Sequence, residues 1–257
     1  METDYIDVTE IAGDDVTSEQ VVRLCNRYYW ASNFCSGKDV IEVACGTGPG
    51  LGLLNTISNS FEAGDYSEKM VEIAKQHYKD RIKITSFDAL DMPFDDRSKD
   101  VIIIFEAVYY LPDFEKFVLE CKRVLKKEGT LLIATANKDL FDFNPSPFSF
   151  EYYGVKELTG IFKKHGFSTD FWGDTPVAEA TGLQKMLRPI KKIAVKLNLI
   201  PKSMVAKKFL KGLVFGTLVK MPAEITDATS EYVVPNEIPG QIPDNKHKVI
   251  LCAAKRV

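Results

Sequence analysis

The sequence predicts a doubly wound α/β fold, with a mostly parallel, seven-stranded sheet and a helical cap inserted between the last two strands. Two observations indicate this fold. Short apolar and β-branched stretches alternate with segments whose apolar residues recur at i, i+3, i+4 and i+7, and this alternation is typical of parallel strands joined by helices that cover both faces of the sheet. The stretch DVIIIF at 100–105 is almost entirely apolar, as a central strand of such a sheet should be.

The predicted strands follow one another along the chain. They cover 39–44, 61–64, 82–87, 100–105, 130–136, 167–172 and 247–254. A helix is expected between the second and third strands, with Ser67 as its N-cap and a buried stripe that runs from Met70 to His77 and Tyr78.

A second helix is expected between the fourth and fifth strands, with Asp113 as its N-cap. Its apolar stripe consists of Phe114, Phe117, Val118, Cys121, Val124 and Leu125. The proline- and phenylalanine-rich stretch 137–154 predicts an aromatic loop. A further helix is expected at about 155–165.

We expect the chain to be organised in four parts. These are an N-terminal helical lid at 1–37, a cofactor-binding core at 38–173, a basic helical cap at 174–246 and a final core strand at 247–257. Within the cap, 180–223 contains no Asp or Glu but ten of the 33 Lys and Arg residues. We expect one or two helices there, divided by Pro201 and Gly212.

Composition and charge exclude several classes of protein. A net charge of −3 gives no general attraction to nucleic acid. The five cysteines are odd in number and never spaced as CxxC, so they indicate buried thiols and neither a disulfide framework nor a zinc site. No apolar stretch is long enough to span a membrane, and the acidic start METDYIDVTE lacks the features of a signal peptide. We therefore expect a cytoplasmic protein.

A glycine-rich turn follows the first predicted strand, in the stretch VIEVACGTGPG at 40–50. In an open α/β sheet the first strand-to-helix turn is the usual floor of a ligand site, and small residues let the ligand approach the backbone. The spacing fails the dinucleotide fingerprint GxGxxG in every register, and no Gly-Lys-Ser/Thr follows. The ligand is therefore expected to be neither a dinucleotide nor a nucleoside triphosphate.

The stretch that begins at Glu42 resembles motif I of the class I S-adenosylmethionine-dependent methyltransferases, a Rossmann-like family, in which an acid precedes three alternating glycines. Ala44 takes the place of the first glycine. The stretches AGDYSEKMVEIAKQ, SFDALDMPFDDRSKDVIIIFEAVYYLPD and ECKRVLKKEGTLLIATANK resemble the later motifs of that family, and the resemblance covers about 38–172 and the last strand.

The resemblance implies S-adenosylmethionine as the cofactor. The residues that it assigns to the cofactor are Arg27, Tyr28, Glu42, Ala44, Cys45, Gly46, Thr47, Gly48, Asp65, Tyr66, Met70, Asp88, Ala89, Phe105 and Glu106. By resemblance, Asp65 accepts hydrogen bonds from the ribose hydroxyls, and Asp88 and Ala89 lie beside the adenine. Phe105 and Glu106 are implied at the methyl end of the donor.

Two further assignments concern the amino acid part of the donor. Glu42 is expected near the ammonium group, directly or through water, because a carboxylate favours a cation where it would repel a phosphate. The stretch NRYYWA resembles the segment that precedes motif I in related enzymes, so Arg27 and Tyr28 are implied as partners of the donor's carboxylate.

Methyl transfer needs alignment of the acceptor and, for some acceptors, removal of a proton. Glu106, Tyr109 and Tyr110 follow the fourth predicted strand, where an acceptor would lie, and they are the candidate catalytic residues. No metal is implied. The ten cations of 180–223 favour an anionic acceptor.

The arrangement also resembles methyltransferases of bacterial surface-glycan pathways, and this favours O-methylation of a phosphorylated sugar, a nucleotide-linked sugar or a glycan precursor. Three alternatives stay open. They are N-methylation of a small molecule, a module that keeps the nucleoside pocket but docks on a membrane or partner through its basic segment, and an NAD-dependent oxidoreductase, which the glycine spacing opposes.

Overall fold

The computed structural model describes residues 9–146, 148–177 and 218–257. The helices are α1 (Ser18–Cys35), α2 (Leu51–Ile57), α3 (Glu68–Tyr78), α4 (Phe114–Val124) and α5 (Val155–Lys164). The strands are β1 (Asp15–Thr17), β2 (Asp39–Val43), β3 (Ser60–Asp65), β4 (Lys83–Ser86), β5 (Lys99–Phe105), β6 (Leu125–Ala136), β7 (Phe167–Pro176), β8 (Leu218–Lys220), β9 (Asn236–Ile238) and β10 (His247–Arg256).

The main sheet has eight strands in the order β4-β3-β2-β5-β6-β10-β7-β9. The first five are parallel, and β10 runs antiparallel between β6 and β7. The predicted doubly wound α/β class is confirmed, while the predicted count of seven strands is one short. The extra strand, β9, is a three-residue edge strand that pairs with β7. A polar stretch so short carries no alternation of apolar residues that could have revealed it.

Helices cover both faces of the main sheet because apolar side chains alternate along its strands. Val40 and Ile103 belong to a core cluster under α1, α2 and α3, whereas their neighbours Ile41 and Ile102 belong to a second cluster under α4 and α5. All are fully buried. The sheet is therefore a rigid middle layer whose carboxyl edge presents the turns that follow β2, β3 and β5.

The predicted N-caps of α3 and α4 are confirmed. The hydroxyl of Ser67 accepts from the Met70 amide at 3.5 Å, and the Asp113 carboxylate accepts from the Lys116 amide at 2.9 Å. The stripe predicted for α4 is buried throughout. All five cysteines are buried and free, as predicted.

The prediction that His77 lies in the buried stripe of α3 is wrong. The buried face continues from Ala74 to Tyr78, and the His77 ring lies towards solvent, where its Nε2 contacts a carboxylate oxygen of Glu224 at 2.7 Å. Position i+7 lies only about 20° around the helix from Met70, but Val71, Ala74 and Tyr78 all lie to the other side of Met70, so His77 falls outside the edge of the buried face.

The predicted cap contributes strands where the structure describes it. β8 pairs antiparallel with β1, so the predicted helical character of 180–223 is wrong for these three residues. The remaining helical prediction, including the breaks at Pro201 and Gly212, lies outside the described residues. Among the residues that are described, no helix is both long and apolar enough to cross a lipid bilayer.

Candidate functional site

A cavity of about 590 Å³ lies at the carboxyl ends of β2, β3 and β5 and beneath α1. Of the residues that sequence analysis singled out, those on its wall are Arg27, Tyr28, Glu42, Ala44, Cys45, Gly46, Thr47, Asp65, Tyr66, Met70, Asp88, Ala89, Phe105, Glu106, Tyr109 and Tyr110. The topology brings them together because three parallel strands end at the same edge of the sheet. Their individual roles stay predictions.

The turn after β2 depends on three left-handed backbone conformations. Ala44, Gly46 and Gly48 have φ of 53°, 58° and 74°. A left-handed conformation costs a residue with a Cβ about 1 kcal/mol or more, and glycine avoids this cost. The departure from the family motif at Ala44 therefore falls at a strained position.

Gly48 is the one predicted cofactor residue that does not line the cavity. Its carbonyl accepts from the Tyr78 hydroxyl at 2.6 Å, and the same hydroxyl accepts from the Gly52 amide at 3.3 Å. Gly48 therefore lies on the side of the turn away from the cavity, where the hydrogen bond from Tyr78 of α3 stabilises the turn.

Asp65 ends β3 and faces the turn. Its two carboxylate oxygens accept from the Gly46 and Ser67 amides, each at 2.8 Å. Burial raises the pKa of Asp65, and these backbone donors oppose that rise. Each oxygen can still accept from a second donor, so the carboxylate suits the two hydroxyls of a vicinal diol.

Glu42 is a carboxylate at the floor of the cavity with an exposed fraction of 2%. Its Oε1 accepts from the Tyr28 hydroxyl at 2.6 Å. Its Oε2 is buried and has no hydrogen-bond partner among the described residues. Burial raises the pKa of Glu42 to about 8. A buried oxygen without a partner is costly, so the site suits a ligand that brings a cation or donor.

The side of the cavity beyond β3 and β4 is a mixed apolar and polar wall. The Asp88 carboxylate accepts from the Leu90 amide at 2.8 Å and so closes a tight turn. Ala89 and Met70 are buried beside it, and the half-exposed ring of Tyr66 lies at the rim. Such walls suit a flat heterocycle, because apolar residues pack on its faces while polar atoms meet its edge.

Glu106 follows β5 and, like Ala44, has a left-handed backbone, with φ of 53°. One carboxylate oxygen lies 3.8 Å from a guanidinium nitrogen of Arg27, and the other accepts from the Tyr109 hydroxyl at 3.2 Å. The Tyr110 hydroxyl contacts Oγ of Ser146 at 2.6 Å. Burial raises the pKa of both tyrosines. Both phenols are therefore protonated at neutral pH, which favours Glu106 among the three candidate catalytic residues.

Part of the wall was not predicted from the sequence. These residues are Thr9, Glu10, Gln20, Leu24, Val43, Pro49, Phe87, Leu90, Ala107, Leu111, Pro112, Phe150 and Met221. Most adjoin a predicted residue and could have been found by extending each motif by one or two positions. Met221 carried no such signal, because only the pairing of β1 with β8 brings it to the site.

We use the term strap for 221–233, the segment that crosses the motif I turn and α1. Backbone bonds join Met221 to Gly13 and Asp14, each at 2.9 Å, and Ile225 to Pro49 at 2.7 Å. The Glu224 carboxylate makes two contacts with the Arg81 guanidinium, at 3.2 and 2.7 Å, in addition to its contact with His77. The strap therefore ties the N-terminal part of the chain to the turn that underlies the cavity.

Comparison with known proteins agrees with this geometry. The family model described as a methyltransferase domain matches residues 41–133. A probable S-adenosylmethionine-dependent methyltransferase of Mycobacterium tuberculosis is 32% identical over 137 residues, which are 52% of this chain and 50% of the relative. The demethylmenaquinone methyltransferase of Bacillus subtilis is 25% identical over 169 residues, covering 52% of this chain and 72% of the relative.

The similarity of fold extends further along the chain than the similarity of sequence. A Thermotoga maritima structure, described as an S-adenosylmethionine-dependent methyltransferase and possible histamine N-methyltransferase, matches with a TM-score of 0.57 and 16% identity over 93% of this chain and 92% of that chain. The chain spans about half the length of the first curated relatives that it matches. Residues 41–133 therefore match a methyltransferase domain, and this part of the chain is similar in sequence to S-adenosylmethionine-dependent methyltransferases.

Proposed function

We propose that the protein binds S-adenosylmethionine in this cavity and transfers its methyl group to a hydroxyl oxygen of a small acceptor. The observation that carries the proposal is the buried side chain of Glu42 beside the glycine turn, one oxygen of which has no hydrogen-bond partner in the part of the chain that the structure describes. That environment suits a cationic nucleoside, because a cation stabilises the ionised form of Glu42, whereas a phosphate brings no charge that would compensate it. An oxidoreductase that binds a dinucleotide would place a pyrophosphate against this carboxylate, so we set that alternative aside.

The residues on the wall fit each part of the donor. Asp65 would hold the ribose, Glu42 the ammonium group, and Asp88 and Ala89 the adenine. Arg27 would serve the donor's carboxylate, and its neighbour Glu106 keeps it from being an unpaired buried charge. When bound, the donor supplies an activated methyl group on a sulfonium centre.

The chain's own part in the reaction is alignment and proton transfer. Glu106 would accept the proton of the acceptor hydroxyl at one of its carboxylate oxygens, and Arg27 and Tyr109 hold that carboxylate in place. A weak base suffices if the proton leaves as the new bond forms. The remaining acceleration comes from holding the acceptor oxygen at about 3 Å from the methyl carbon.

We propose an anionic acceptor, such as a phosphorylated sugar, a nucleotide-linked sugar or a glycan precursor of a surface polysaccharide. Support comes from the sequence of 180–223, which has ten cations and no acid. Most of that stretch lies outside the described residues. Its described cation, Lys220, pairs with Asp15 at 2.9 Å and is not directed at an acceptor.

One observation favours a second candidate, N-methylation of a small amine. The described wall carries five carboxylates against one guanidinium, that of Arg27. The carboxylates are those of Glu10, Glu42, Asp65, Asp88 and Glu106. Because the acceptor end includes Glu106, a neutral or cationic acceptor meets less electrostatic opposition from these residues than an anion does.

A panel assay distinguishes the two candidates. Purified protein is incubated with S-adenosylmethionine and, separately, with phosphorylated sugars, nucleotide sugars, amines and phenols, and S-adenosylhomocysteine is measured by mass spectrometry. We expect turnover with one of the sugars and at least a hundredfold loss in Glu106→Gln, a typical size for removal of a general base. Turnover with amines alone would replace O-methylation by N-methylation. Absence of donor binding in calorimetry would refute the enzyme itself.

We also propose that the basic stretch contacts anionic membrane at the cytoplasmic surface, which would present a lipid-linked acceptor to the cavity. Clusters of Lys and Arg bind anionic lipid with about 1 kcal/mol for each charge near the surface. Flotation with vesicles that contain anionic lipid should recover the protein at low salt and lose it at high salt. Equal recovery with purely zwitterionic vesicles would argue against an electrostatic contact.

A further inference from the structure

Tyr28 connects the N-terminal helix to the floor of the cavity. It lies on α1, is buried, and packs edge-on against Phe105 with the ring centroids 5.2 Å apart. Its ring also covers Gly50, where an added Cβ would lie 2.2 Å from the nearest ring carbon. Its hydroxyl reaches Oε1 of Glu42 at 2.6 Å. One side chain of α1 therefore contacts the glycine turn, β2 and β5.

The hydrogen bond from Tyr28 decides which oxygen of Glu42 is free. Oε1 accepts from the phenol, so Oε2 is the oxygen that has no partner within 9–146, 148–177 and 218–257. Among the residues that the structure describes, the titratable and charged groups that face Glu42 are Tyr28, Arg27 and Cys35 from α1, Cys45 from the turn, Asp65 from β3 and Tyr78 from α3. Of these, only Arg27 is a cation, and its guanidinium is paired with Glu106. The unliganded site therefore stabilises a negative charge on Glu42 poorly.

We propose that Tyr28 is a positioning residue that holds Glu42 for the donor's ammonium group, and that binding of S-adenosylmethionine expels a proton from Glu42. This inference rests on the proposed function. The balance is simple: the neutral carboxyl of the free protein becomes a carboxylate beside the bound ammonium, and its proton passes to the buffer. No other bond forms or breaks.

Burial and hydrogen bonding agree with this direction. Burial raises the pKa of Glu42 to about 8, while the bond from Tyr28 lowers it. At neutral pH the free protein therefore holds most of its Glu42 protonated, and a bound cation next to Oε2 reverses that preference. Below this pKa, linkage makes the affinity for the cation rise by up to about tenfold for each unit of pH.

Tyr28→Phe separates positioning from packing. The variant keeps the ring over Gly50 and against Phe105 and removes only the hydroxyl. A purely structural Tyr28 would leave the proton linkage unchanged in this variant. A positioning Tyr28 would not, because losing a donor to the carboxylate raises the pKa of Glu42 further and shifts proton release to higher pH.

The test is isothermal titration calorimetry between pH 6 and 7.5 in buffers of different ionisation enthalpy, which counts released protons directly. The probes are S-adenosylmethionine and 5′-methylthioadenosine, which lacks the amino acid head. Proton release is counted at pH 6 to 6.5, more than one unit below the usual pKa of an α-amino group, about 7.7 to 8.0, where the donor itself stays charged. Towards pH 7.5 part of the free donor is neutral and takes up a proton when it binds as the ammonium. Thermal unfolding of each variant checks that it is folded.

We expect nearly one proton to be released with S-adenosylmethionine and none with 5′-methylthioadenosine. Glu42→Gln should abolish the release, and Tyr28→Phe should weaken S-adenosylmethionine binding several-fold at pH 7 while leaving 5′-methylthioadenosine unaffected. Binding of S-adenosylmethionine without proton release would overturn the inference, as would equal weakening of both probes in Tyr28→Phe. Failure of S-adenosylmethionine to bind the unmodified protein would overturn the proposed function instead.

Discussion

Gly50 offers a direct test of the packing between α1 and the glycine turn. Its φ of −104° is accessible to any residue, so Gly50→Ala introduces no backbone strain. The added Cβ would, however, lie 2.2 to 2.3 Å from three ring carbons of Tyr28. Because Tyr28 is held by Phe105 and Glu42, the ring must move and its hydrogen bond to Glu42 must lengthen.

The expected cost follows from these contacts. Overpacking a buried position costs about 1 to 3 kcal/mol, and losing the hydrogen bond between Tyr28 and the neutral carboxyl of Glu42 costs about 0.5 to 1.5 kcal/mol more. We expect the free energy of unfolding to fall by about 3 kcal/mol in total. For a chain of this size that lowers the melting temperature by about 6 to 12 °C. The affinity for S-adenosylmethionine should fall about tenfold or more, since 1.4 kcal/mol corresponds to a factor of ten.

Thermal unfolding followed by circular dichroism and calorimetric titration with the donor measure both effects. Gly160→Ala is the matched control, because Gly160 lies within α5 and an added Cβ there meets nothing within 4 Å; it should stabilise the protein by up to about 1 kcal/mol. Gly50→Ser distinguishes a steric clash with Tyr28 from loss of the N-cap of α2. Serine is a favoured N-cap residue, so any destabilisation in this variant comes from the Cβ that it shares with alanine. Unchanged stability and donor affinity in Gly50→Ala would refute the close packing of Tyr28.

Three further outcomes are expected. Asp65→Asn replaces one accepting oxygen by an NH2 group, so either the Gly46 or the Ser67 amide loses its acceptor. Calorimetry should show at least a tenfold weaker affinity for S-adenosylmethionine, and the free energy of unfolding of the free protein should fall by about 1 to 3 kcal/mol. Tyr78→Phe removes the hydroxyl between Gly48 and Gly52, and urea titration should show unfolding easier by about 1 to 2 kcal/mol; an unchanged midpoint would contradict the bracing role. The pKa of Glu42 in the folded protein is raised to about 8, so the native protein binds more protons than the unfolded chain between about pH 4.5 and 8. The free energy of unfolding should therefore fall as the pH rises across that range, and Glu42 contributes up to about 1.4 kcal/mol per pH unit. Glu42→Gln should flatten that slope, and an identical pH profile would show that the group does not titrate there.

The parts of the fold that were predictable are those that local pattern determines. The parallel strands and the stripe of α4 follow from residues a few positions apart, and the N-caps at Ser67 and Asp113 follow from single side chains. The edge strand β9 and the pairing of β1 with β8 depend on partners far along the chain. No local pattern records such pairing.

The same division holds at the candidate site. The motif I turn and Asp65 could be located because glycine spacing and a strand-end acid are local features. What the sequence did not reveal is the hydrogen bond that joins Tyr28 to Glu42, since the two residues belong to different elements that meet only in the folded chain. Met221 was missed for the same reason.

The wall of the cavity includes residues that are far apart along the chain, since Glu10 and Met221 both line it. During synthesis on the ribosome, the sheet from β2 to β6 and its glycine turn emerge long before Met221 does. The strap can close over the turn only after β8 has been made and has found β1. A growing polypeptide therefore completes this cavity late. A truncated translation product that stops before residue 221 would lack both the strap over the turn and β10, the strand that joins β6 to β7 in the main sheet.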